Sequence, residues 1–374
     1  MSNETVKANS DVLFIYEAKK SNPNGDPDME NKPRMDYDTK TNLVTDLRIK
    51  RNIREYLKDS GKKIFVDTLA DRKVSADIML NHIVEKVTGS QESLDEIFSE
   101  NEELRNLWNT LTEHLEEDKK TYAELRRISK TKKDKKDPKH VKTIREQFPK
   151  FNNALLQEII KQSLADIRMF GGAFAVEGFS STYTGPIQLN WGYSLHPVEL
   201  IKSNTIVPTM SSSEKDASTM GKDYRLYYSL IAFHGTINKY LAAKTGLTQE
   251  DVRLFREAII NSVSYKPTRS KSDQYSMFYL ELEYADGYNG YLRDLRDFVS
   301  CSVKEKNQPI RSVDNLNMDF SKLENLINAN NAVIQQIHLW RTPLPGTAFD
   351  AFGKNLDANI KAKIKDVAFK SGGE

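Results

Sequence analysis

The sequence predicts an α+β fold of the ferredoxin-like, split type. Three observations carry that prediction. Apolar runs of strand length, several with period-two alternation, recur at 11–18, 187–195, 224–234 and 277–284. Helical patterns opened by Thr45 and Thr248 fall between the first and second runs and between the third and fourth. The order is therefore strand, helix, strand, strand, helix, strand once the interruptions are set aside.

The first strand, Asp11 to Ala18, carries Val12-Leu13-Phe14-Ile15-Tyr16. Ser21-Asn22-Pro23-Asn24-Gly25-Asp26-Pro27-Asp28 follows, a run of turn residues that cannot continue it, and Pro33-Arg34-Met35-Asp36 extends the loop. Thr45 is a good N-cap and Asp46 suits the helix dipole. Ile49, Ile53 and Tyr56 form an apolar stripe, Lys50, Arg51, Arg54 and Lys58 fall on the neighbouring face, and Arg48 points elsewhere. A buried strand thus delivers a polar loop and a row of cations to one sheet edge. That layout suits a phosphate backbone better than a small metabolite.

Residues 1–10 read as loose and Lys62 to Val66 as a short strand. From 73 to 118 the pattern is helical, with Ile78, His82 and Val87 near one face and Leu94, Phe98, Leu104, Leu107, Leu111 and Leu115 recurring. Residues 91–118 hold ten acids and one base; residues 119–150 hold thirteen Lys or Arg against four acids. The preferred reading is a solvated helical insertion with a mobile basic loop; the sharper one has Lys130 to Lys142 making a non-specific nucleic-acid contact. Asn153 to Ile167 is an amphipathic helix ending at the Gly171-Gly172 pair, a C-cap or close-packing site. Ile187 to Leu195 alternates as a strand. Residues 203–223 read as a projecting hairpin, with Thr205-Ile206-Val207 and Met220-Gly221 flanking a Ser-Ser-Ser-Glu-Lys-Asp tip. Tyr224 to His234 is a strand, Thr248 with Asp251 opens a helix in capping-box fashion, and Met277 to Tyr284 is the last strand of the pattern. Residues 316–370 mix helix and a short apolar strand.

At 374 residues and net charge +2, the chain can bury a large core but is no cationic glue, so any nucleic-acid contact must use locally clustered charge. The single cysteine, Cys301, excludes an intramolecular disulfide and fits a reducing compartment. There is no signal-peptide pattern and no apolar run of the ~20 residues that span a bilayer, so a cytoplasmic protein without membrane partners is expected. No phosphate-cradling glycine motif, zinc-type Cys/His spacing or nucleophile elbow is present. His234 reads as a hydrogen-bonded core or edge histidine, and Asp26 with Asp28 fits a turn better than a metal pair. Trp191 and Tyr193 read as sheet packing rather than base-stacking rings.

Ser21 to Pro27, then Leu43-Val44-Thr45-Asp46 and Arg48-Ile49-Lys50-Arg51, resemble the opening of the Cascade backbone subunit, the guide-RNA-binding protein of type I CRISPR effectors. That family is a branch of the repeat-associated mysterious protein superfamily, and the match looks closest to subtype I-B. Asp166-Ile167-Arg168-Met169-Phe170-Gly171, Gly185-Pro186-Ile187-Gln188, Met220-Gly221-Lys222-Asp223-Tyr224-Arg225 and Thr268-Arg269-Ser270-Lys271 continue the resemblance in family order. It implies a hand-shaped fold with a modified RNA-recognition palm (1–66, 151–202 and, with a C-terminal extension, 224–374), helical fingers (67–150) and a hairpin thumb (203–223).

The resemblance also implies a non-catalytic subunit that stacks head to tail along guide RNA and presents it to target DNA, alongside other Cascade subunits, with no cofactor or metal. The RNA-binding residues it points to are Asn22, Asn24, Arg34, Arg48, Lys50, Arg51, Arg54, Gln188, Met220, Lys222, Arg269 and Lys271. For the basic helix the competing reading is a solvated face, and for Met220 a packed hairpin base. Related type III subunits cleave RNA with a loop aspartate; the match is to the type I branch, so Asp26, Asp28 and Asp36 are not assigned that role. The rivals are an RNA-processing nuclease of the same superfamily and the backbone of a transposon-associated complex.

Overall fold

The computed structural model describes residues 4–65, 68–69, 72–73, 76–176, 179–206 and 221–369. They fall into two compact units. One is formed by Met1–Ser60, Pro186–Ala243 and Leu247–Glu374, the other by Gly61–Gly185 with Lys244–Gly246. No helix among the described residues is long and apolar enough to cross a membrane.

The first unit is built on a nine-stranded sheet. Its central strand, β1 (Ser10–Ser21), lies between Leu226–Ile237 and Gln274–Tyr284, antiparallel to both. Beyond Gln274–Tyr284 come Ile334–Arg341 and then the parallel strand Ile364–Asp366. Beyond Leu226–Ile237 come Gly192–Ser194, Thr41–Val44 and Met35–Asp36, with Ile187–Leu189 also paired to Leu226–Ile237. β1 is buried on both faces over Ser10–Ala18, which explains its near-continuous apolar run. Leu13 and Ile15 join one core with Leu230, Leu280, Phe320 and Ile337. Over the sheet, the helix α1 (Asp46–Asp59) packs on the helix Gln249–Tyr265.

Both helix starts follow the sequence. Thr45 caps α1 by accepting from the Arg48 N–H, and Thr248 with Asp251 closes a capping box. The α1 stripe differs by one position: Ile49, Ile53 and Leu57 are buried, whereas Tyr56 is half-exposed and its hydroxyl donates to Glu257 at 2.9 Å. A tyrosine beside a carboxylate keeps its oxygen toward polar surroundings. Residues 4–10 are not loose. The Val6 N–H donates to the Leu247 carbonyl at 3.0 Å, and Val6, Asn9 and Ser10 are buried. The alternation at 187–195 is two short strands rather than one, broken at Asn190 and Trp191.

The second unit is mainly helical. Ala76–Thr88, Gln91–Glu100, Glu102–Thr112, Tyr122–Ser129 and Lys139–Ser163 surround a core containing Leu80, Leu94, Phe98, Leu104, Trp108, Leu125, Ile144 and Phe151. The helical period at 73–118 is right but the first face is not: Ile78 and His82 are exposed, while Leu80, Val84 and Val87 are buried. Lys62 to Phe65 form no strand; the Phe65 N–H donates to the buried Asp166 carboxylate at 2.8 Å, and Val66 lies outside the described residues. The boundary expected between 150 and 151 falls inside the helix Lys139–Ser163. The basic segment is not a free loop either. Arg145 reaches back to Asp137 at 2.7 Å and to the Thr131 hydroxyl at 3.0 Å, and so ties down 131–137. Gly171 ends the helix Ala165–Phe170 at φ 74°, and a Cβ there would meet the Tyr183 carbonyl at 2.1 Å.

Candidate nucleic-acid interface

The end of β1 is where three polar segments meet. The Asn22 N–H donates to the Ser270 carbonyl at 2.7 Å, and the Lys19 N–H to the Asp273 carbonyl at 2.8 Å. Gln274 donates to the Ser21 hydroxyl at 2.8 Å. The loop after β1 is thereby tied to the loop before Gln274–Tyr284. Asn24 ties it to α1: its Oδ1 accepts from both the N–H and the hydroxyl of Thr45, each at 2.9 Å. Its backbone carbonyl accepts from the Arg34 N–H at 3.0 Å.

This frame brings Arg48 and Lys271 close enough to affect each other. Burial pushes the Lys271 amine down, and the Arg48 charge pushes it further. Burial also lowers Arg48, with Tyr16 and Glu55 opposing that shift and Arg51 adding to it. Neither forms an ion pair among the described residues. Two half-buried cations without a carboxylate between them favour an anion, because a bound anion relieves both the desolvation and the mutual repulsion.

The other expected site residues divide. Arg34 stands near this frame, with one nitrogen 3.4 Å from Asp26 and its buried Nε unpartnered. Arg269 is exposed on the Ser270 loop. Asn22 is buried and donates to the Asn31 carbonyl at 2.8 Å, so its amide nitrogen serves the loop itself. Lys50 is only 7% exposed and pairs with Asp46 at 3.0 Å. Arg51 is exposed and donates to Glu55 at 2.8 Å; Arg54 is half-exposed. Lys222 sits where Thr205–Ile206 pairs with Gly221–Lys222 and donates to the Thr205 hydroxyl at 3.0 Å. Gln188 is exposed opposite Thr236, toward the Ser10 end of β1 and away from the Arg48 cluster. Met220 lies outside the described residues.

The turn reading of the acids holds. Asp26 accepts from the Asp28 N–H, and Asp36 from the Asp38 and Thr39 N–H groups. His234 is buried; its Nδ1 accepts from the Leu295 N–H at 3.4 Å. Elsewhere, Glu281, Glu283 and His338 gather in metal-ligand fashion, but Arg256 fills the cluster, binding Glu281 at 2.7 and 2.9 Å.

Trp191 overturns the sheet-packing expectation. It sits at the break between Ile187–Leu189 and Gly192–Ser194 and is 49% exposed. Its carbonyl accepts from the buried Arg296 at 2.6 Å, and Arg296 in turn lies 4.2 Å over the half-buried Tyr193 ring. No sequence signal linked Arg296 to Trp191 across more than a hundred positions.

Sheet and cluster together define a mixed α/β protein in which loops at one end of the central strand gather two half-buried cations. A family model described as CRISPR-associated protein Cas7 matches residues 8–321, and the chain belongs to that family. A curated relative from Haloferax volcanii, "CRISPR-associated protein Cas7", is 24% identical over 339 residues, covering 90% of this chain and 87% of the relative. Two solved structures are similar. A chain of "CRISPR RNA-guided surveillance complex, pre-nicking" gives a TM-score of 0.46 at 14% identity, covering 91% of this chain and 94% of that one. A chain of "CRISPR RNA-guided surveillance complex" gives 0.39 at 11%, covering 90% and 93%.

Proposed function

We propose that this chain is a non-catalytic, guide-RNA-binding backbone subunit of a type I CRISPR effector, of the I-B branch. In this reading copies stack head to tail in the cytoplasm with other effector subunits and present the RNA for pairing with target DNA. The observation that carries it is the Arg48–Lys271 pair, two unpaired cations held at the root of a polar loop, which fits a phosphate backbone read without regard to sequence. The strand order Gln274–Tyr284, β1, Leu226–Ile237, Gly192–Ser194, antiparallel throughout, supports a ferredoxin-like palm. The helical unit Gly61–Gly185 supports the fingers, and the two-rung pairing at Thr205–Ile206 supports the base of a thumb. On this reading Asn22 and Asn24 shape the loop, while Arg34, Arg48, Arg51, Arg54, Gln188, Lys222, Arg269 and Lys271, together with Met220 outside the described residues, are the proposed RNA contacts. The turn-capping bonds of Asp26 and Asp36 weigh against the nuclease rival.

The test is co-purification followed by sequencing of bound small RNA, with affinity measured against salt. CRISPR-derived RNA and an affinity that falls steeply with salt are expected. Absence of bound RNA, or an affinity indifferent to salt, overturns the reading.

A further inference from the structure

A solvent-exposed indole presents a large flat apolar face to any planar partner. Trp191 is held in that state by its surroundings rather than left there by a floppy loop. Arg296 fixes its carbonyl, and the following Gly192 lets the chain press on Phe233: a Cβ there would meet that ring at 2.4 Å. Gly192 pairs with Val44, so Trp191 stands beside Thr45, the residue that Asn24 grips and whose hydroxyl caps the Arg48 turn. The Arg34 guanidinium carbon lies 6.0 Å over the indole. An exposed aromatic ring, a cation above it and a phosphate-type site one helical turn away form the combination that binds single-stranded nucleic acid by stacking.

We propose that Trp191 is a stacking platform for one nucleobase of the bound strand, with Arg34 lying against the same ring. This rests on the RNA-binding reading and adds to it a base contact that needs an unpaired, accessible base. The contact takes any base, because every base has a π face.

The probe is an unstructured RNA oligonucleotide and the same oligonucleotide with its bases removed, titrated into the full chain. Trp108 is buried and Trp340 half-buried, so Trp191 supplies the quenchable fluorescence. Expected results are quenching by intact RNA that is absent in W191F, an affinity about tenfold weaker in W191A, and retention of affinity in W191F. The abasic RNA should bind the parent about as weakly as intact RNA binds W191A. Unchanged melting of W191A is expected, since the anchoring bond uses the backbone carbonyl. Salt-sensitive binding with equal affinity for intact and abasic RNA overturns the platform alone. Failure of the parent to bind RNA at all overturns the RNA reading and the platform with it. Loss of self-association in W191A without loss of RNA affinity assigns the ring to a protein neighbour and overturns the platform.

Discussion

Asn24 and Thr45, twenty-one positions apart, are joined twice: one carboxamide oxygen accepts from both the backbone N–H and the hydroxyl of Thr45, each at 2.9 Å. The Thr45 hydroxyl also accepts from the Arg48 N–H. One side chain therefore fixes the start of the loop, the N-cap of α1 and the height of Arg48 above the sheet.

Asn24→Ala should remove both bonds and leave the Thr45 N–H seeking a partner. The expected cost is about 1–3 kcal/mol in denaturant unfolding, with RNA affinity reduced through the misplaced loop. Asn24→Asp keeps the acceptor and should recover most of the stability. Equal stability of parent and alanine variant would show the lock to be inert.

Arg48→Ala with Lys271→Ala should leave the free protein close to the parent in stability, since the two cations repel and neither forms an ion pair among the described residues, so that only the longer-range pull of Glu55 on Arg48 is lost. RNA binding should weaken, and the slope of log affinity against log salt should shrink by about 1.4, the release expected for two single-strand phosphates. Arg51→Ala, whose guanidinium is shared with Glu55, should lose less. A slope unchanged in the double variant would remove both residues from the interface.

Asp11, near the start of β1, is buried, accepting from the Tyr284 hydroxyl and from the Leu292 N–H at 2.7 Å, with Oδ1 unpartnered 3.7 Å from His234 Nε2. Burial raises its pKa from 3.8 to about 6, against those two bonds, and the Asp294 charge adds to the rise. The folded state thus holds the proton more tightly than the unfolded chain. The stabilisation is fully present below 3.8 and is lost as pH rises through about 6. Asp11→Asn keeps an acceptor and cannot ionise. Measured as the difference between variant and parent, unfolding free energy should rise in favour of Asn by on the order of 3 kcal/mol across that interval. A flat difference would mean Asp11 titrates normally.

Arg145→Ala should release the basic segment 131–137 while leaving the helix Lys139–Ser163 in place. Its side chain is 9% exposed and ion-paired to Asp137, so the loss should be about 1–3 kcal/mol and limited proteolysis should move to this segment. Protease resistance equal to the parent would show that the backbone turns alone hold it.

The sequence shows most clearly what local chemistry decides. Both helix starts were visible in Thr45 and Thr248 because a cap is a three-residue event. β1 was visible because burial on both faces leaves only apolar residues. The cation cluster was half visible: Arg48 and Lys271 were separate candidates, but only the folded sheet brings positions so far apart together. Lys50 shows the reverse error, since helical spacing placed it outward while a carboxylate one turn back let it be buried. Trp191 was misread because the alternation of 187–195 hid a break that Arg296 stabilises from a distant segment.

The sheet finishes at each side on a very short strand, Met35–Asp36 at one margin and Ile364–Asp366 at the other. Two or three residues offer too few free amides and carbonyls to template another chain. In the filament proposed above, copies crowded along one RNA would therefore be shielded from fusing into a continuous cross-strand ribbon. In the proposed filament the RNA and side-chain contacts would then do the joining that open strand edges do in a ribbon, and the length of the guide would set the number of copies.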